Sequence, residues 1–171
     1  NAFLVETDWE GVVVGAKEDK LGIRSSDTHT IMYNDVKVPK ENRLGPEGSG
    51  FKFAMKVLSG GRIGIAAQAL GIAAGAYELA LKYAKERKAF GTEIANHQAI
   101  AFKLADMATK VELGRNLLYK ACWLKQTGKP FAKESAMAKL YCSEIAKEVA
   151  DEAVQVHGGY GLMKEYDIER F

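Results

Sequence analysis

Leu81 to Ile100 reads LKYAKERKAFGTEIANHQAI, and its reading decides the fold. A long helical run rich in small residues ends here, the chain turns at Phe90-Gly91, and a second helix starts near Asn96. Three side chains with chemical potential cluster at the corner. Arg87 carries a planar fork of donors suited to phosphate. Phe90 offers an apolar face, and Gln98 an amide that both donates and accepts. Gly91 permits the turn that brings them together. On spacing alone, Arg87 and Lys88 read equally as C-terminal charges that offset the helix dipole.

Upstream, one helix is predicted over residues 51–88. Its interior holds Gly60, Gly61, Gly64, Gly71 and Gly75, each costing up to ~1 kcal/mol relative to alanine. So many glycines imply that a backbone or a ligand packs on that face. The uncharged stretch from Ile63 to Tyr77 is shorter than the ~20 residues a bilayer requires, so a buried bundle helix is expected and no membrane span. Downstream, a second helix is predicted over 96–126, with Ile100, Leu104, Met107, Val111, Leu118 and Cys122 inward and Lys103, Lys110 and Lys120 on a solvated face. A third runs over 131–156, with Met137, Leu140, Ile145, Val149, Ala153 and Val156 inward and Gly158-Gly159 as its stop. The segment before the first helix is β-rich. Strands are expected at 2–6, 12–17, 30–33 and 36–38, the first two paired with each other, with His29 in a loop. Composition shifts sharply near Gly48. The fold class is therefore α+β, with the end of a small antiparallel β domain (1–47) followed by an incomplete up-down helical bundle (48–171).

The 171 residues are 47% apolar and 27% charged, with net charge +2. That balance gives no reason to expect a nucleic-acid partner. Cys122 and Cys142 lack metal spacing and read as buried reduced thiols. His29, His97 and His157 have no companion ligands, so no metal site is expected. Val154–Gly161 (VQVHGGYG) follows a helix rather than a strand, which rules out a dinucleotide fingerprint of the Rossmann type. It reads either as a plain helix stop or as bare backbone that a ligand can approach. The acidic residues read as surface carboxylates or helix-pairing partners, and none stands out as a general base. Both ends read as internal, with a helix beginning at Asp167, so a piece of a longer chain is expected.

ERKAFG, HQAIAFKLADMA and VQVHGGYG, in this order and separation, resemble the acyl-CoA dehydrogenase family, most closely its short-chain, butyryl-CoA-type members. The resemblance covers nearly the whole chain. It implies a flavoprotein that binds FAD, converts a short-chain acyl-CoA to the trans-2-enoyl-CoA and passes electrons to an electron-transfer flavoprotein. It also implies a homotetramer (a dimer of dimers) in a bacterial cytoplasm or a mitochondrial matrix.

Carried over by position, Arg87 would meet the FAD pyrophosphate across a subunit interface. Phe90 would pack beside the cofactor and Gln98 would hydrogen-bond it. Gln155, Val156, His157, Gly158 and Gly159 would form the other wall. Ser59, Gly60, Gly61 and Arg62 match a substrate-side segment, and Asn1 a substrate-contacting position. There are departures. Many relatives have Asp where Ser59 stands, and some have a hydroxyl residue in place of Ala89. The family's usual base, a glutamate in Tyr-Glu-Gly-Thr, falls beyond Phe171. A minority place it where this chain has Gly61. No catalytic residue is therefore assigned, and the chain alone is expected to be inactive. Two alternatives stand beside this reading, a non-catalytic self-association module and an oxidase-type acyl-CoA flavoprotein. Acyl chain length is not legible.

Overall fold

The computed structural model describes residues 1–171 and divides into two compact units, Asn1–Lys56 and Val57–Phe171. In the first, β1 (Val12–Lys17) and β2 (His29–Tyr33) pair antiparallel, Val12 opposite Tyr33, with an irregularity between Val14 and Lys17. Gly11 starts this hairpin at φ +88°, and a Cβ there would lie 2.2 Å from the Asn34 carbonyl oxygen. Its own carbonyl accepts from the Asn34 N–H at 2.8 Å. Only glycine tolerates that approach.

Several strand expectations are corrected. Residues 2–6 do not pair with 12–17. They lie against 42–44, through a bridge between Phe3 and Arg43 and bonds from Leu4 N–H to Asn42 and Leu44 N–H to Ala2. The closure at Gly11 commits β1 to β2 and leaves the N-terminal segment to find another partner. Residues 36–38 form no strand, because Asp35 at φ +51° turns the chain and Pro39 follows without a donor. His29 belongs to β2, and its Nδ1 lies 2.9 Å from the Gly15 carbonyl oxygen.

The helices follow their sequence signals closely. They are α1 (Gly50–Glu86), α2 (Gln98–Gln126) and α3 (Ala132–His157). The α1 entry is tight, since a Cβ on Gly50 would fall 2.3 Å from the Asn1 carbonyl carbon. In the second unit Ala66, Ala69, Leu70, Ala73, Ala76, Ala80 and Ala84 of α1 are buried in one core with Leu104, Met107, Val111, Leu118, Ile145, Val149 and Ala153. Their spacing of three and four residues is one helix face. By length and apolar composition α1 meets the requirement for a bilayer-crossing helix, yet this stripe packs inside the bundle. The three helices meet at Gly114, where an added Cβ would contact Ile145 Cδ1 at 3.0 Å, Leu70 Cδ1 at 3.2 Å and Cys142 Sγ at 3.4 Å.

Four details of the bundle differ from expectation. Met137 and Leu140 are exposed, and Ser135, Ala138 and Cys142 occupy the seam instead, since the small side chains allow close helix approach. Cys122 is exposed, with Ala121 inward; only Cys142 is a buried thiol. Lys103 and Lys110 do not merely face solvent. Lys103 pairs with Glu152, and Lys110 with Glu148 at 2.6 Å, from α2 to α3. On α1, Phe171 packs on Gly75, but a Cβ at Gly61, Gly64 or Gly71 would meet nothing within 4 Å.

Candidate functional site

The corner between α1 and α2 is more than a turn. Two-residue strands β3 (Lys88–Ala89) and β4 (Thr92–Glu93) form a minimal antiparallel hairpin. Phe90 (φ +53°) and Gly91 (φ +83°) are its tip, the left-handed pair that a two-residue hairpin of this hand demands. The Phe90 ring is 97% exposed, an orientation that buries nothing within this chain. His97 braces the hairpin. Its Nε2–H donates to the Ala89 carbonyl at 3.1 Å, and its ring meets the Phe90 ring edge-on at 6.0 Å. Gln98 follows as the first residue of α2, exposed.

Arg87 sits one residue past α1. Its N–H continues the helix ladder to the Tyr83 carbonyl at 2.8 Å, and its own carbonyl accepts from the Ile94 N–H at 2.8 Å. The backbone is thereby pinned on both sides. The guanidinium forms no ion pair and lies over the Tyr160 ring, 5.5 Å from its centroid. An arginine stacked on a tyrosine with its in-plane donors unused is preset for a bidentate anion.

Opposite, α3 ends at Gly158 with φ +59° and ψ −136°. That conformation belongs to glycine. The Gly158 N–H is taken by the Gln155 carbonyl, so the segment offers close approach more than free donors at this residue. A Cβ on either Gly158 or Gly159 would meet nothing within 4 Å. Between the two ends opens a cleft of about 470 Å³ lined by Tyr83, Arg87, Ile94, Val156, His157, Gly158, Gly159, Tyr160 and Met163.

Of the expected cofactor residues, Arg87, Val156, His157, Gly158 and Gly159 thus come together in one cleft. Phe90, Gln98 and Gln155 do not line it; all three are exposed near it in sequence. The His157 ring is 5% exposed, donates from Nδ1 to the Ala153 carbonyl at 2.8 Å, and stacks on Tyr83 at 4.3 Å with 23° between planes. Its side chain is therefore packing material. Burial raises the Tyr83 hydroxyl pKa above the ordinary tyrosine value, with Arg87 opposing. Tyr83, Ile94, Tyr160 and Met163 escaped the sequence reading. Tyr83 had one available signal, its place four residues before Arg87 on the same helix face.

The expected substrate residues lie elsewhere. Ser59, Gly60, Gly61 and Arg62 are in α1, with Ser59 and Arg62 half-buried. Arg62 precedes Arg87 by about 37 Å of helix axis at 1.5 Å per residue. Asn1 is exposed, and its Oδ1 accepts from the Gly48 N–H at 2.7 Å.

A β hairpin followed by a bundle whose helix ends frame an anion-ready cleft defines a class, and comparison with known proteins names it. The acyl-CoA dehydrogenase C-terminal domain model matches residues 48–171, and the chain belongs to that family. It is 52% identical over 169 residues to the short-chain specific acyl-CoA dehydrogenase of Megasphaera elsdenii, covering 99% of this chain and 44% of that protein. It is 53% identical over 170 residues to the caffeyl-CoA reductase-Etf complex subunit CarC of Acetobacterium woodii, covering 99% and 45%. The butyryl-CoA dehydrogenase structure from Megasphaera elsdenii superposes with a TM-score of 0.93 at 52% identity, over 98% of this chain and 44% of that one. The chain spans slightly under half the length of these relatives.

Proposed function

We propose that this chain supplies part of the FAD site and part of the acyl-CoA site of a short-chain acyl-CoA dehydrogenase, with residues 1–47 ending its β domain and 48–171 forming most of its bundle. One observation carries the reading. The unpaired Arg87 guanidinium faces, across one open cleft, backbone without side chains at Gly158 and Gly159. A diphosphate fits that arrangement, since a bidentate arginine neutralises it and bare backbone lets it approach. Val156, Ile94 and Met163 add apolar wall.

When bound, the flavin supplies hydride acceptance. The chain's residues bind and orient. Arg87 would hold the diphosphate, and Phe90, Gln98 and Gln155, which lie outside the cleft lining, would add contacts to the cofactor. Ser59, Gly60, Gly61 and Arg62, and separately Asn1, would be substrate-side residues for the acyl-CoA. The long axial separation of Arg62 and Arg87 favours a shared arrangement, in which one active site takes Arg87 from one copy and Arg62 from another. A homotetramer that passes electrons to an electron-transfer flavoprotein, in a bacterial cytoplasm or a mitochondrial matrix, belongs to the same proposal. The names of the relatives, butyryl-CoA dehydrogenase and a subunit of a reductase-Etf complex, are its support for substrate and electron partner.

The test is FAD affinity of the complete protein that carries this chain. R87A is expected to weaken it by about 10- to 100-fold, the worth of a charge-assisted bond. An unchanged dissociation constant would remove the cleft from the cofactor site. The 171-residue chain alone is expected to form no enoyl-CoA, because our reading places no general base within it.

A second reading, a self-association module, is favoured by large exposed apolar side chains on the bundle, among them Phe102 (60%), Leu140 (59%) and Trp123 (51%). Light scattering separates the two. Assembly indifferent to both FAD and R87A supports the module.

A further inference from the structure

The end of α1 and the end of α3 must be held apart by the right distance if Arg87 and the glycine backbone are to grip one diphosphate. Binding geometry of this kind needs positioning to about 0.5 Å. No hydrogen bond or ion pair joins the last turn of α1 to the last turn of α3. What lies between them is a pair of stacked rings, Tyr83 and His157, 4.3 Å apart.

Each ring is rigidly tied to one wall of the cleft. Tyr83 is one turn before Arg87, and its carbonyl accepts the Arg87 N–H at 2.8 Å. His157 immediately precedes Gly158, is buried, and is locked in rotation by its bond to the Ala153 carbonyl. Tyr166 closes the pair from the side, edge-on to Tyr83 at 5.7 Å and to His157 at 6.0 Å. The stack therefore transmits the position of one helix end to the other.

We propose that Tyr83 and His157 are a positioning pair that sets the gap between the Arg87 guanidinium and the Gly158–Gly159 backbone, acting through Arg87 and not by bonding the cofactor. This rests on the reading of the cleft as a diphosphate site.

The experiment measures FAD dissociation constants of the complete protein, freed of cofactor and titrated with FAD, for R87A, Y83L, Y83F, H157L and the double variant Y83L/R87A. Y83L and H157L are each expected to bind at least about tenfold more weakly. Y83F, which keeps the ring and loses the hydroxyl, should restore affinity to within about threefold of the parent. Y83L/R87A should bind no more weakly than R87A alone, since the pair works through that arginine. A merely structural role would not produce that coupling.

Additive losses in the double variant would overturn the proposal. So would Y83F as weak as Y83L, which would make the hydroxyl a ligand, or Y83L with unchanged affinity. If Y83L does not hold its fold, Y83M, which also removes the ring and fills more of its volume, carries the same comparison. R87A without effect defeats the diphosphate reading itself, whereas a weak R87A beside an unaffected Y83L defeats only the positioning pair.

Discussion

At Gly158 and Gly159 two neighbouring glycines do different work. Gly158 holds φ +59° with ψ −136°, a region that costs a side-chain-bearing residue about 1–3 kcal/mol. G158A is therefore expected to lower unfolding stability by that order, read by urea denaturation. Gly159 has no positive φ, and an added Cβ there has open space. G159A should leave stability the same or raise it by about 0.5 kcal/mol, while FAD binding weakens because the methyl occupies the cleft. A G159A protein that binds FAD normally would mean that no ligand closely approaches this backbone. The glycine pair was legible in sequence as a helix stop. Which glycine serves the fold and which the cleft was not, because that depends on dihedral angle and on what lies opposite.

Among the helices, Gly114 of α2 marks a contact with side chains of both α1 and α3. The methyl of G114A would press on Ile145 Cδ1 at 3.0 Å and Leu70 Cδ1 at 3.2 Å, so a loss of about 1–3 kcal/mol from overpacking is expected. Adding I145V, which removes the obstructing carbon, should return part of that loss. Two equal and additive losses in the double variant would refute this account of the seam. Helix existence and length were readable because α1–α3 carry apolar periodicity and glycine stops. Apolar size does not predict the inward face of α3, where Met137 and Leu140 are exposed. Close helix approach selects small side chains, and Ser135, Ala138 and Cys142 hold that seam.

For the whole molecule, stability should depend on pH on the alkaline side. Burial raises the Cys142 thiol above its ordinary value of 9.0 and raises Tyr83 and Tyr141 above 10.0. A hydrogen bond to Glu148 raises Lys110 above 10.5. In each case the folded state holds its proton more tightly than the unfolded state. The contribution is full below the unfolded value and is lost as pH rises through the folded one. Stability carried by these four groups is thus expected to be level near neutrality and to fall from about pH 9 upward. Replacing the earliest group in C142A should move the onset toward pH 10, where the tyrosines begin. A curve whose alkaline onset is the same in C142A would remove Cys142 from the account.

By itself the sequence determined the three long helices and named the candidate ligand-binding residues. Periodicity, glycine stops and the Arg87 and Gly158–Gly159 segments are local signals, written within a few residues of where they act. Tertiary structure alone decided that β1 pairs with β2 and that the His157 ring stacks on Tyr83. It also decided that Tyr83 and Tyr160 join Arg87 there. These are contacts between segments tens of residues apart. Which side chains meet across such a distance is set by how the helix ends pack, and no local pattern encodes it.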